Sequence, residues 1–264
     1  MLMEARKNIK FILLSMKYNV QREMLNKTSF LMNVLLMMLN NVSIIIQWGV
    51  FFSLKDSFNG YTFEDEMFAI SLCTITYGMT FLFFGGVNRI SYLIEYGGLD
   101  KYLTKPKSIL ISVLTSKTQI SALGDMLFGI ILFLIYYHSP IQILLFIFLS
   151  ILSFFIMISF LIIINSITFW FIRFSDTVET FHSAFISFSM YPKTIFDTSI
   201  KIIMHTIIPV GFAIYLPVEL FINFSILKML LLVGFTIFNV LLARFVFYRG
   251  LKRYTSSNIV VANI

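Results

Sequence analysis

The sequence has very little cysteine and very little charge, and both shortages narrow what the chain can be. Cys73 is the only cysteine among 264 residues and lies in an apolar tract, so no intrachain disulfide can form. Only 12% of the residues are charged, far fewer than a soluble domain needs to cover its surface. The 58% apolar content, the 31 phenylalanines and a mean hydropathy of +0.89 are typical instead of a chain that lies in a membrane.

The sequence also lacks the residue sets that catalysis and metal binding need. No Cys/His cluster has metal-ligand spacing, and no Ser/His/Asp or Cys/His set is recognisable, so we predict no catalytic residue, no metal and no enzyme. No Gly-x-x-x-x-Gly-Lys-Ser/Thr loop is present to bind a nucleotide. The N-terminus does not have the pattern of a cleaved signal peptide. Because repeats and flexible linkers are lacking as well, we predict one membrane domain over residues 1–264.

Lysine and arginine are distributed unevenly between the apolar tracts. All 20 of them except Lys55 and Lys228 fall in or beside alternate gaps, whereas one of the other gaps carries an acidic cluster at Glu64, Asp65 and Glu66. Because cytoplasmic loops collect Lys and Arg, this asymmetry predicts the number and direction of the crossings. Anionic lipid headgroups explain the net charge of +7, so we expect contacts with membrane lipid and none with nucleic acid.

The apolar tracts predict six membrane crossings, since a crossing helix needs about 20 apolar residues. The tracts cover residues 28–54, 67–88, 126–172, 202–218 and 229–243. The third is too long for one helix and is interrupted at 136–140, which predicts two spans joined by an external hairpin. Five spans would place the basic tail, 248–264, outside. We therefore predict an all-α polytopic protein of the cell membrane with six transmembrane helices and both termini cytoplasmic.

Residues 175–218 fit a simple span poorly. The stretch 175–191 has an incomplete helical stripe, and it either forms an interfacial helix or begins the fifth span. Pro209, Gly211 and Pro217 favour a kinked or partly re-entrant fifth element near the outer face. The residues show no clear pair of amphipathic re-entrant helices before the last span.

The N-terminal segment, residues 1–27, has the pattern of an amphipathic helix. Its apolar stripe consists of Ile9, Ile12, Leu13, Met16 and Val20. The basic residues off that stripe are Lys7, Lys10, Lys17 and Arg22. We interpret the segment as an interfacial helix at the inner membrane surface, with a contact for a cytoplasmic partner as the alternative. Phe11 and Leu14 break the stripe and predict a second surface that contacts protein.

The gap 91–117 contains the segment Glu95-Tyr96-Gly97-Gly98-Leu99-Asp100-Lys101-Tyr102-Leu103-Thr104-Lys105-Pro106. The glycine pair interrupts the preceding helix, and Pro106 disfavours helical geometry at Lys105, which leaves about two helical turns. Such a short helix would present Leu99, Tyr102 and Leu103 as a surface for a soluble subunit. An ordinary solvated loop is the alternative.

This order of segments resembles the ABC type-2 exporter permeases. The basic N-terminus, two spans, a Gly-Gly-Leu-Asp-x-Tyr-Leu-x-x-Pro loop and four further spans are similar to the small six-span branch encoded without its own ATPase. Tyr191-Pro192, residues 207–212 and Pro217 resemble that branch as well. The resemblance implies a half-transporter that pairs with a second permease, identical or paralogous, and with an ABC ATPase dimer that binds ATP and Mg.

The resemblance also assigns a role to the loop after the second span, which in such permeases is a coupling helix in a cleft of the ATPase. It implies an ATPase-coupling role for Glu95, Gly97, Gly98, Leu99, Asp100, Lys101, Tyr102, Leu103, Lys105 and Pro106. The function it implies is export of a peptide, antibiotic or lipid-like substrate. A secondary transporter driven by an ion gradient is the alternative, although such proteins usually place several ionisable groups near the midplane.

Polar residues inside the apolar tracts are candidates for the gate or the substrate path, because burying them is costly. Asp125 opens the third span near the cytoplasmic side, where we expect it to stay hydrated or to pair with Lys117, with a gating contact as the alternative. His205 lies near Pro209 and is either a packing residue or a proton-sensitive one. The polar residues that can bond across helices or face a dimer partner are Asn40, Asn41, Gln47 and Asn165.

Overall fold

The computed structural model describes residues 2–55, 57–58, 60–171 and 173–255. The predicted tail 248–264 lies outside the described residues from position 256 onwards, as does the side chain of Lys7. The helices are α1 Leu2–Glu23, α2 Lys27–Ser53, α3 Phe63–Phe84, α4 Ile90–Glu95, α5 Asp100–Leu103, α6 Ile109–Leu114, α7 Ser121–Tyr136, α8 Pro140–Ser166, α9 Ser175–Ser189, α10 Thr198–Thr206, α11 Leu216–Ile222 and α12 Ile226–Leu251. The hairpin strands are β1 Ser57–Phe58 and β2 Tyr61–Thr62, with Ser57 opposite Thr62.

Four helical stretches of the described chain are long and apolar enough to cross a membrane. They are Lys27–Ser53, Phe63–Glu95, Pro140–Phe169 and Ile226–Leu251. A bent pair, α10 with Gly211–Ile222, counts as a fifth if it is one span. The predicted all-α membrane fold is confirmed. The described residues contain four to five candidate spans, whereas six were predicted. The predicted break in the tract 126–172 lies where expected, because α7 ends at Tyr136 and α8 begins with Pro140.

The core of the bundle is built around α3 and α8, which are apolar on every face. Almost every residue of α3 from Met67 to Leu82 is buried, as a helix without a polar face requires. α3 lies between α7 and α8, α2 packs against α7, and α12 packs against α8. The two outer helices, α2 and α12, therefore expose most of their surface to the surroundings of the protomer.

One end of the bundle, which we call the basic end, brings together α1, residues 85–118, the end of α8 and the end of α12. The side-chain oxygen of Asn165 on α8 accepts a hydrogen bond from the backbone N–H of Ser91 at 3.1 Å. The hydroxyls of Ser108 and Tyr248 lie 2.8 Å apart. The start of α1 and the residues after α12 therefore both belong to segments that contact the basic end.

The opposite end joins the β-hairpin, the α7–α8 turn and residues 190–228. Here the hydroxyl of Tyr137 donates to the carbonyl of Glu64 at 3.2 Å. Lys193 binds the carboxylate of Glu219, which also accepts from Nζ of Lys228 at 2.9 Å. The sequence placed Lys193 in a gap on the cytoplasmic side with the N-terminus. That placement is wrong, since Lys193 shares its acidic partner with Lys228 at the opposite end.

The acidic cluster forms the first turn of α3 and is not the separate loop that the sequence indicated. The side chains and backbone N–H groups of Thr62 and Asp65 bond reciprocally in a capping box, which fixes where α3 begins. Glu64 and Asp65 lie at the positive end of the helix dipole, which favours carboxylates. Glu66 is fully buried against the core.

Residues 175–222 form a helix between the two ends, followed by a sharp bend. The backbone N–H of Ser175 binds Glu95 at the basic end, and the carbonyl of Met190 accepts from Nε1 of Trp48 at 3.2 Å. α10 and the helix Gly211–Ile222 then meet at 88°. The predicted kink near Pro209 is confirmed. The sequence showed no clear pair of amphipathic re-entrant helices there, and the structure has two short helices at this bend, too short for a stripe to show in the sequence.

Candidate functional site

The predicted coupling segment is folded into three short helices. A 3-10 turn, Gly85–Arg89, leads from α3 into α4, and α5 and α6 follow. A Cβ on Gly86 would lie 2.0 Å from the carbonyl oxygen of Val113, so only glycine lets this turn pack on α6. Gly97 has a φ of +70° and ends the run that begins with α4. The solvated-loop alternative is therefore excluded, and residues 85–116 form a compact platform.

The short helix α5 does not present the surface that the sequence indicated. Leu99 is fully buried and Tyr102 is 3% exposed, so both anchor α5 to the platform. Nζ of Lys101 and Nζ of Lys105 lie 5.1 and 4.7 Å from the centroid of the Tyr102 ring, within cation–π distance. Leu99 and Tyr102 therefore have a structural role here. The sequence could not show this, because a pattern of four helical residues does not reveal which side of the helix faces the protein.

Glu95 holds the start of α9. Its two carboxylate oxygens accept hydrogen bonds from the backbone N–H and the hydroxyl of Ser175, both at 3.0 Å. The carboxylate therefore satisfies a donor at a helix N-terminus, where negative charge is favoured. The resemblance implied an ATPase-coupling role for Glu95. In the structure its carboxylate links the platform to the helix that runs to the opposite end.

Asp100 is bound by the chain that follows α12. The hydroxyl of Tyr254 donates to Oδ1 of Asp100 at 3.0 Å. Burial, followed by the hydrogen bond and charge of Asp100, raises the pKa of Tyr254 to about 12, so the tyrosine is a neutral donor at physiological pH. The platform is thus fastened to α12 at two points, this bond and the contact of Ser108 with Tyr248.

Helix α1 packs along the platform as well as carrying an exposed face. The amide of Asn19 donates to the carbonyl of Thr115 at 3.0 Å and to the hydroxyl of Thr118 at 3.3 Å. Nζ of Lys107 lies 5.9 Å from the ring centroid of Phe11, so the predicted protein contact holds for Phe11, whereas Leu14 is exposed. The predicted apolar stripe is divided between the two faces. Its exposed members are Ile9 and Leu13, and its partly buried members are Ile12, Met16 and Val20.

Apart from Asn88, which lines a cavity described below, the exposed residues of the platform are a mixed set that we call the docking face. It consists of Tyr92, Tyr96, Lys101, Leu103, Thr104, Lys105 and Pro106. The rings of Tyr92 and Tyr96 lie 4.4 Å apart. Aromatic residues beside an apolar side chain and two cations are typical of a protein-binding surface.

The three candidate gating residues do not form one site. Asp125 is 2% exposed and its Oδ1 accepts a hydrogen bond from the amide of Asn41 at 2.7 Å, so the predicted hydration or pairing with Lys117 is wrong. His205 and Pro209 lie together at the bend before Gly211–Ile222. Nδ1 of His205 is 2.7 Å from the carbonyl of Lys201, and a Cβ on Gly211 would lie 2.4 Å from the ring, so the imidazole packs against the bend.

The structure adds a polar cavity that the sequence did not indicate. It has a volume of about 320 Å³ and opens between α4, the end of α8 and α9. Its lining includes Asn88, Ser91, Asn165, Asp176, Glu179 and His182. Asp176, Glu179 and His182 are spaced three residues apart on α9. This spacing is visible in the sequence and indicates a polar face on that helix, although not the cavity. No group of three His, Cys, Asp or Glu residues in the described part of the chain is placed to hold a metal ion.

These features define a class of protein: a polytopic, all-α membrane protein with a folded platform at one end of the bundle. The sequence matches the family described as ABC-2 family transporter protein over residues 24–258. The chain therefore belongs to the ABC-2 transporter family and is a membrane permease of an ABC transporter, as the resemblance implied. Family membership implies partnership with an ABC ATPase. No curated protein and no solved structure matches the chain.

Proposed function

We propose that this permease is a subunit of an ATP-driven exporter and that a separate ABC ATPase dimer, which binds ATP and Mg, docks on the docking face. The observation that carries the proposal is the contrast within the segment 95–106. Glu95, Leu99, Asp100 and Tyr102 bind the protein itself, whereas Lys101, Leu103 and Lys105 stay exposed. A rigid base with a free mixed tip is what a transmission element needs, because a push on the tip then moves the whole platform.

The proposed topology has six crossings, α2, α3, α7, α8, α9 and α12, in the cell membrane. The fifth crossing is α9 in place of the predicted tract 202–218, whose bent pair contacts the end at which α9 finishes. The start of α2 and the end of α12 lie at the same end of the bundle, which requires an even number. α7 and α9 have 16 and 15 residues and are therefore about 24 Å and 22 Å long, shorter than a usual span. We expect the basic end, with both termini, to face the cytoplasm, because the exposed Lys101 and Lys105 at this end fit the positive-inside rule.

Coupling would pass from the platform to α9 through Glu95. When ATP binding draws the two ATPases together, α4 shifts and carries the capped start of α9 with it. The other end of α9 contacts Trp48 on α2, and Tyr215 beyond the bend donates to the carbonyl of Phe188 at 2.6 Å. The motion therefore reaches both the first span and the bent pair, which is where we place the outer gate for the exported substrate.

The docking face is tested by purifying the membrane complex with variants that change only exposed side chains. Leu103→Asp, and separately Lys101→Glu with Lys105→Glu, should abolish co-purification of the ATPase while the permease still inserts. The matched control is His138→Asp in the exposed turn at the opposite end, which should retain the ATPase. Retention of the ATPase by both docking variants would contradict the assignment. Changes at Leu99 or Tyr102 do not test it, because they damage the platform itself.

The proposed link is tested separately with Glu95→Ala. Loss of a cap of this kind costs about 1 kcal/mol of helix stability, so the first turn of α9 should exchange its amide hydrogens faster. The ATPase should still co-purify, since the carboxylate of Glu95 binds Ser175 and is not part of the docking face. Unchanged exchange at residues 175–178 would show that Glu95 does not hold α9.

A further inference from the structure

The first candidate span, α2, carries polar side chains on a face that points away from the rest of the protomer. Of the four polar residues that the sequence singled out, Asn41 binds Asp125 and Asn165 binds Ser91 and Leu161. The side-chain amides of Asn40 and Gln47 are exposed and have no hydrogen bond to any residue that the structure describes. These two amides lie within a membrane-spanning helix, so their surroundings require an explanation.

The exposed amides follow a heptad pattern. Asn33, Asn40 and Gln47 are exposed and seven residues apart, and Leu36 and Ser43, each three residues further on, are exposed too. Alternating steps of three and four place these residues on one narrow stripe, the spacing of the a and d positions of a coiled coil. At 100° per residue the stripe lies roughly 125° around the helix from the buried face. We call it the amide seam.

The rest of the exposed surface of α2 is suited to lipid. Between the amide seam and the buried face lie Leu31, Leu35, Leu39, Val42 and Ile46, all of them exposed and apolar. Amides without partners are unfavourable in hydrocarbon, where no water is present to bond them. Lipid therefore covers the apolar face, and protein covers the amide seam.

We propose that the amide seam pairs with the same seam of a second, identical copy of this chain. An amide both donates and accepts, so a seam of amides is complementary to itself. Two copies related by a two-fold axis along the membrane normal have parallel α2 helices, and each a position then meets its counterpart. Asn33, Asn40 and Gln47 would each bond to the same residue of the partner. The inference rests on the proposed exporter, in which the family resemblance implies a second permease, and it names the surface and the partner.

Disulfide cross-linking in native membranes tests this pairing. In a Cys73→Ala background, Asn33→Cys, Asn40→Cys and the same-seam Leu36→Cys should form dimers on oxidation. Each should then shift from the 30.6 kDa of the monomer to twice that mass on a non-reducing gel. The matched controls Leu39→Cys and Ile46→Cys, on the apolar face of the same helix, should remain monomeric. Because Leu36 carries no amide, Leu36→Cys tests the seam without removing a group that the fold could require.

The other outcomes contradict the proposal. Cross-linking at Leu39 or Ile46 would place the dimer on a different face, and cross-linking nowhere would exclude the seam as an interface. Modification of the seam cysteines by a charged, water-soluble thiol reagent, without dimer formation, would show that the seam lines an aqueous path. The assay is run with and without the ATPase and with Leu103→Asp, so that failure of docking is distinguishable from failure of pairing.

Discussion

The two outer helices, α2 and α12, are both largely exposed, but their polar side chains face in opposite directions. Only 11% of the most apolar stretch of α2 and 22% of that of α12 are buried, against 78% for the central helix α3. In α12 the polar residues Thr236 and Asn239 face inward, and the outward residues around them are apolar. In α2 one amide, Asn41, faces inward, whereas Asn33, Asn40 and Gln47 face outward.

The difference shows that exposure from the protomer does not mean exposure to lipid. α12 has the arrangement expected of a helix whose outer face meets hydrocarbon, since its polar groups are covered by α8. α2 has that arrangement on its apolar face alone. A helix with a second, polar outer face is suited to an assembly in which a partner covers that face. The substitutions below test this reading from the largest expected effect to the smallest.

A charge on the outer face of α12 should have the largest effect. Phe238→Asp places a carboxylate near the middle of the helix, where insertion costs about 3 kcal/mol. The yield of membrane-inserted permease should fall sharply. Leu227→Asp, at the exposed start of the same helix, is the matched control and should be tolerated near the interface. Equal tolerance of both would show that the outer face of α12 does not meet lipid.

The neighbouring amides Asn40 and Asn41 should respond in different ways. Asn41→Leu leaves Asp125 buried without the one hydrogen-bond partner that its carboxylate has among the described residues, which costs about 2 kcal/mol. The thermal midpoint of the purified permease should drop. Asn40→Leu removes no contact within the protomer and should leave the midpoint nearly unchanged, while weakening the dimer. The same drop for both would contradict the division of α2 into an inner and an outer amide.

The end of α12 should show the smallest effect. Tyr254→Phe removes one partly buried hydrogen bond to Asp100, a loss of about 1 kcal/mol, and should speed tryptic cleavage at Lys252 and Arg253. Tyr18→Phe, on the exposed face of α1, should have no such effect. Because the pKa of Tyr254 is raised from 10.0 to about 12, its attachment should be complete below pH 10 and lost as the pH approaches 12. Cleavage of the Tyr254→Phe variant at the rate of the unchanged protein would exclude this bond.

Hydropathy and charge predicted the all-α membrane fold, but few of the side-chain contacts within it. The breaks at Gly97 and at 136–140 were visible because glycine and proline act locally. The burial of Leu99 and Tyr102 was not visible, since it depends on α6 and on the chain after α12. Asn40 and Asn41 are adjacent and chemically identical, so only packing against α7 separates their roles. The charge rule failed at Lys193 because Glu219, 26 residues later, folds back on it.

The mass of the intact assembly tests the central claim most directly. Native mass spectrometry of the permease, released from the membrane with its bound ATPase, should give a complex of two 30.6 kDa chains and two ATPase subunits. The Leu103→Asp variant should give the permease dimer without ATPase. A complex with a single copy of this chain, or a permease that carries no ATPase under any condition, would contradict an exporter built from two identical permeases and a docked ATPase dimer.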